Sequence, residues 1–145
     1  MRRFVVAASL VGTLAAAAPV AQACERVDFE AVVDDAAAAL RDLNLKNRPI
    51  FQDKLRTLKD KRAWSHDEFM KQAAPFVADE KIAEFDQAST DLLTEISTMG
   101  QEGADAATPD CKLLAELRAR MSKLVETQTS KWSYMFGKLD AELVK

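Results

Sequence analysis

Residues 108–145 read TPDCKLLAELRARMSKLVETQTSKWSYMFGKLDAELVK, and this stretch decides the fold. Leu114, Leu117, Met121, Val125, Trp132, Met135, Leu139 and Leu143 recur at a 3.6-residue period, and Gln128 is the one break in the stripe. Thr108 reads as an N-cap and Pro109 as the first helical residue. A straight helix from there almost to Lys145 would span about 50 Å, roughly twice the first helix predicted below. Its far end is therefore expected to overhang the bundle, bend, or fray near Thr127 to Ser130 or Gly137.

The preceding sequence is helical in the same manner. Phe29, Val32, Val33, Ala36, Leu40 and Leu43 mark the buried face of a helix from about Asp28 to Leu43. Asn44 to Asn47 reads as a turn, and a second helix starts near Pro49 with Phe51, Leu55 and Leu58 inward. Ser65 and Glu68 form a capping box, flanked by Trp64 and Phe69 as a hydrophobic staple. Pro75 should shorten or bend the helix that follows. A further helix runs from about Asp79 to Met99, with Ile82, Phe85, Leu92, Leu93, Ile96 and Met99 on one face and Ser89 in the same stripe. Gly100 suits its C-terminal cap, and residues 101–107 read as a loop. Strand alternation is absent, so the expected fold is all-α: an up-and-down bundle of four to five helices with a long C-terminal helix.

The chain has 145 residues, enough for one domain. Arg2 and Arg3, the apolar run Phe4 to Ala18 and the Ala21-Gln22-Ala23 site read as a secretory signal over residues 1–23, cleaved before Cys24. The apolar run is too short for a comfortable transmembrane helix. A periplasmic or secreted location follows. Residues 24–145 lose Arg2 and Arg3 from the 20 basic side chains and keep all 23 acidic ones, leaving a formal charge of −5. No bulk positive charge is available to neutralise phosphates, so nucleic acid is not the expected partner.

Cys24 and Cys111 are the two cysteines. In an exported protein they suggest one disulfide, nominally worth about 4–5 kcal/mol for so long a loop. The bridge requires the first and last helices to start at the same end, which five alternating helices satisfy with short turns. The alternative is an acylated lipoprotein cysteine at Cys24, although Ala21-Gln22-Ala23 fits that signal poorly.

Chemistry is harder to find. His66 is the single histidine, which excludes histidine-rich zinc sites and paired Glu-x-x-His di-iron sites within one chain. Phosphate-binding glycine loops, calcium loops and nucleophile elbows are missing. His66 with Met70, Met99, Met121 and Met135 leaves a metal- or haem-binding bundle as an alternative, against core packing of the methionines. No catalytic residue, cofactor or metal ligand is assigned.

Two recognition surfaces remain. The basic run of the second helix includes Lys54, Arg56, Lys59, Lys61 and Arg62, opposed by Asp53 and Asp60. It either lies between acidic neighbours or offers a face to an anionic envelope component. Trp132 and Phe136 lie on or beside the stripe of the last helix, with Tyr134 projecting away. They either cap the core or meet a target protein or a second subunit, giving a homodimer through the C-terminal helix. The sequence thus suggests an exported helical protein that works by non-covalent binding.

Overall fold

The computed structural model describes residues 24–145, and the signal over residues 1–23 lies outside them. The described chain forms four helices and no strand: α1 (Arg26–Lys61), α2 (His66–Val77), α3 (Glu80–Asp105) and α4 (Cys111–Leu143). α1 and α4 run parallel, and α3 runs antiparallel to both. Cys24 bonds to Cys111 at one end, and Arg62 meets Glu142 at the other. α2 crosses the distal end, where Phe76 joins the core and Lys138 of α4 donates to the Pro75 carbonyl. The fold is an up-down-up arrangement of three long helices with one short helix at the turn.

The first correction concerns α1. Residues 44–47 are not a turn, because the helix continues through Pro49 to Lys61. Proline removes the N–H that would bond to the Leu45 carbonyl and disfavours a helical residue before it. Leu45, Lys46, Arg48, Pro49 and Ile50 are all exposed, so water can satisfy that carbonyl. Beyond the proline, Phe51, Leu55 and Leu58 are buried against α4, which offsets the local cost. With 36 residues, α1 is about 54 Å long and matches the 33 residues of α4, so α4 has no overhang.

Two helix boundaries also move. α3 does not stop at Gly100 but continues to Asp105, and neither glycine takes a left-handed conformation. A Cβ on Gly103 would sit 2.8 Å from a Phe29 ring carbon, so the missing side chain there admits α1 rather than ending a helix. α4 starts at Cys111, not Pro109, because the Asp110 carboxylate accepts from the Lys112 and Leu113 N–H groups and takes the N-cap role from Thr108.

The capping box at α2 forms as expected. Glu68 N–H donates to Ser65 Oγ, and Ser65 N–H donates to the Glu68 carboxylate at 2.8 Å. Trp64 and Phe69 both pack on the distal core. Just before them, α1 ends on a feature without a glycine to announce it. Ala63 holds φ 50°, and the bonds Trp64 N–H to Lys59 O and Ala63 N–H to Asp60 O make a Schellman cap.

The core has two parts. Phe29, Val32, Ala36, Ile96, Leu114, Leu117, Met121 and Leu124 form the disulfide-end cluster. Phe51, Leu55, Leu58, Phe76, Ile82, Met135 and Leu139 form the distal one. Between them the two polar breaks of the stripes meet: Gln128 Nε2 donates to Ser89 Oγ at 2.6 Å, and Ser89 Oγ donates to the Phe85 carbonyl at 2.8 Å. Among the described residues no buried side-chain polar atom lacks a partner. Leu93 and Val33, expected in the core, are instead 53% and 39% exposed.

Three expected outcomes follow from the backbone. Ala63→Gly should raise unfolding stability by about 1 kcal/mol in urea titration, because glycine takes positive φ without the Cβ penalty. Gly100→Ala, with open space around its Cβ, should stabilise by about 0.5–1 kcal/mol. Gly103→Ala should destabilise by about 1–3 kcal/mol through the Phe29 ring.

Candidate functional site

The five basic residues singled out on α1 sit at the distal end, and each meets another group of the same chain. Lys54 pairs with Asp140, Arg56 with Asp53, and Arg62 with Glu142. Lys61 Nζ donates to the Leu143 carbonyl at 2.6 Å, and Lys59 stands over the Phe69 ring. Lys54, Lys61 and Arg62 therefore complement the carboxylates and free carbonyls at the C-terminal end of α4.

The aromatic residues of α4 face two neighbours, Trp132 and Phe136 towards α1 and Tyr134 towards α3. Trp132 and Phe136 are half-buried, and both rings make edge contacts with Phe51. Trp132 Nε1 donates to Asn44 Oδ1 at 3.2 Å. Tyr134 does not project freely, which corrects the sequence reading. Its hydroxyl donates to Asp79 Oδ2 at 2.8 Å, beside the Phe85 ring. The second half of α1 thus covers Trp132 and Phe136, and the start of α3 covers Tyr134.

Asp79 is the hub of the distal end. It caps α3 by accepting from the Ile82 N–H at 2.8 Å, and it also accepts from Lys138 and Tyr134. Lys138 and then the Ile82 N–H hold its carboxyl down at about 2 against desolvation, with a lesser contribution from the Tyr134 hydroxyl. The same carboxylate pushes the Tyr134 hydroxyl up. This cluster ties α2, α3 and α4 together, and every member is already engaged. The cleft beside it, about 580 Å³, is lined by Arg62, Lys138 and Glu142, whose charges are also paired.

His66 and Met70 lie on the exposed side of α2, Met99 and Met121 belong to the disulfide-end cluster, and Met135 belongs to the distal one. The structure does not bring these five residues into one place. Among the described residues, no group of three or more His, Cys, Asp or Glu side chains comes together in a way that could hold a metal ion.

A different surface opens at the disulfide end. α1 and α3 each pack extensively on α4 but scarcely on each other. The gap between them is a groove of about 500 Å³. Phe29, Val33 and the fully buried Leu117 form its apolar floor and lip. Gly100, Gly103 and Ala104 form a wall without bulk, and Glu30 and Asp34 line the other side. Arg26 closes one end by donating to the Ala104 carbonyl at 3.0 Å. Neither Glu30 nor Asp34 has an ion-pair partner among the described residues. The sequence held a partial signal for this site. Val32 and Val33 are adjacent, so a narrow helical stripe cannot bury both equally.

The Cys24–Cys111 bridge, with Cα atoms 5.4 Å apart, lies next to this groove and fits an extracellular location. None of the described helices is long and apolar enough to cross a membrane. Compared with models of protein families, with curated proteins and with solved structures, the chain matches none.

The depressed Asp79 carboxyl sets a pH dependence. Its contribution to stability is complete above its unfolded value, near pH 4, and is lost as pH falls through about 2. Asp79→Asn should lower stability at neutral pH, and its deficit against the parent should close between those two values. Chemical denaturation at stepped pH reads this directly.

Proposed function

We propose that this is an exported, non-enzymatic binding protein whose working surface is the groove between α1 and α3. Export would use the signal over residues 1–23, removed before Cys24. The observation that carries the reading is the contrast between the two ends of the molecule. At the distal end the basic and aromatic side chains singled out above are engaged by other groups of the same chain. At the disulfide end the exposed Val33 forms an apolar lip over the buried Phe29 and Leu117, beside Glu30 and Asp34, which have no ion-pair partner among the described residues.

The groove volume falls in the roughly 300–1,000 Å³ range of sites that enclose small molecules or anchoring side chains. Its apolar lining favours an apolar group over a polar one. The pairing of Cys24 with Cys111 favours this reading over the lipoprotein one, since a sulfur in a disulfide is not available for acylation.

The test is a titration with N-phenyl-1-naphthylamine, a neutral apolar dye that brightens on leaving water. The parent protein should give a saturable rise. Val33→Asp places a charge on the exposed lip, where the fold tolerates it, and should weaken the dye about tenfold, roughly the 1.4 kcal/mol of one lost buried side-chain contact. Equal dye binding by parent and variant, with unchanged helicity by circular dichroism, would sink the assignment.

A further inference from the structure

We infer that the occupant of this groove is a cationic amphipathic helix from a partner protein. The inference rests on the groove being the binding surface and adds what it binds. The occupant lies along the groove, against α1 on one side and α3 on the other. Its apolar side chains point to Val33 and the edge of Phe29, and its basic flank passes over Glu30 and Asp34.

Charge is the first argument. The helix directions place residues 24–40 and 92–128 at the disulfide end. They carry eleven acidic and five basic side chains, against twelve and thirteen in residues 41–91 and 129–145. The net negative charge of the protein is therefore concentrated around the groove. Most of the few cations there are occupied. Arg120 pairs with Glu95, Lys123 with Glu126 and Lys112 with Glu116, while Arg26 is held by the Ala104 carbonyl. Glu30 and Asp34 lie one helical turn apart, so they present two carboxylates in a row to whatever lies alongside. Such a row attracts lysine or arginine at the same spacing and repels anionic ligands.

Shape is the second argument. Gly100 and Ala104 keep the α3 wall low, and the position of a Cβ on Gly100 meets nothing within 4 Å. A rod can therefore approach both helices closely. Helices bind such grooves through apolar anchors at i, i+3, i+4 and i+7. Leu93 on α3 lies two turns before Gly100, on the same side of the helix, and its exposure extends the apolar track. A second copy of this chain is a poor occupant, because a two-fold contact would set Glu30 and Asp34 against their own equivalents.

The experiment uses the disulfide-bonded protein and two fluorescent peptides of about 18 residues, long enough for helix formation. One has leucine at i, i+3, i+4 and i+7 with lysine elsewhere; the other replaces each lysine by glutamate. The lysine peptide should bind, and the glutamate peptide should not. The double variant Glu30→Gln with Asp34→Asn should weaken the lysine peptide about fivefold while leaving the neutral dye unaffected. Asp35→Asn with Asp42→Asn removes the same charge elsewhere on α1 and should leave the affinity nearly unchanged. Equal binding of the two peptides, or equal loss in both double variants, would overturn the inference. If neither peptide binds while the dye still binds in a Val33-dependent way, the helical occupant is wrong and the groove stands. Dye binding insensitive to Val33 overturns the groove itself.

Discussion

The apolar stripe of α4 is the constraint on which the rest of the structure depends. α1 and α3 both bury their inner faces against it and make little use of each other. Leu117 and Leu139, one in each core cluster, are fully buried on this one helix. The hydrophobic effect is non-directional, so it draws two helices onto a common rod without requiring them to touch. The groove is what remains when two partners share one seat. Its existence is a property of the packing arrangement, and no loop or insertion is needed to build it.

The polar groups on the stripes give that packing its register. Ser89 and Gln128 each interrupt an otherwise apolar face; Ser89 is satisfied by the Phe85 carbonyl of its own helix, but the Gln128 amide relies on the Ser89 hydroxyl as acceptor. They meet at one level of the antiparallel α3–α4 pair. Sliding α3 by one turn would separate them and take the acceptor from Gln128. Above that level Asp86 pairs with Lys131 and Asp79 with Lys138; below it Glu95 pairs with Arg120. All four contacts agree on the same alignment, so α3 has one preferred position along α4.

Much of this was legible in the sequence, and the failures have physical causes. The stripe of residues 114–143, the Ser65–Glu68 box and the joining of Cys24 to Cys111 all depend on local spacing or on chemistry that few arrangements satisfy. The errors arose where tertiary packing overrode a local signal. Pro49 looked like a helix start because proline favours that position, but burial of Phe51, Leu55 and Leu58 carried the helix through it. Gly100 and Gly103 looked like a cap and a loop, yet one is an ordinary helical residue and the other makes room for Phe29. The left-handed Ala63 carried no signal at all, since alanine seldom adopts that conformation. The groove was missed for a related reason. An amphipathic pattern shows which face of a helix is apolar, but not whether two such faces close over each other.

The covalent bridge gives the molecule an unusual response to tension. Cys24 and Cys111 are 87 residues apart, and α1, α2 and α3 all lie inside the ring they close. A pull between Cys24 and Lys145 passes through the sulfur atoms straight into α4 and bypasses those three helices. Because α4 runs parallel to α1 from the bridge outward, the load acts along its axis, and its side chains must slide out of their seat as a row rather than peel away singly. Under traction the short path through α4 would give way while the cross-linked loop is still unstretched.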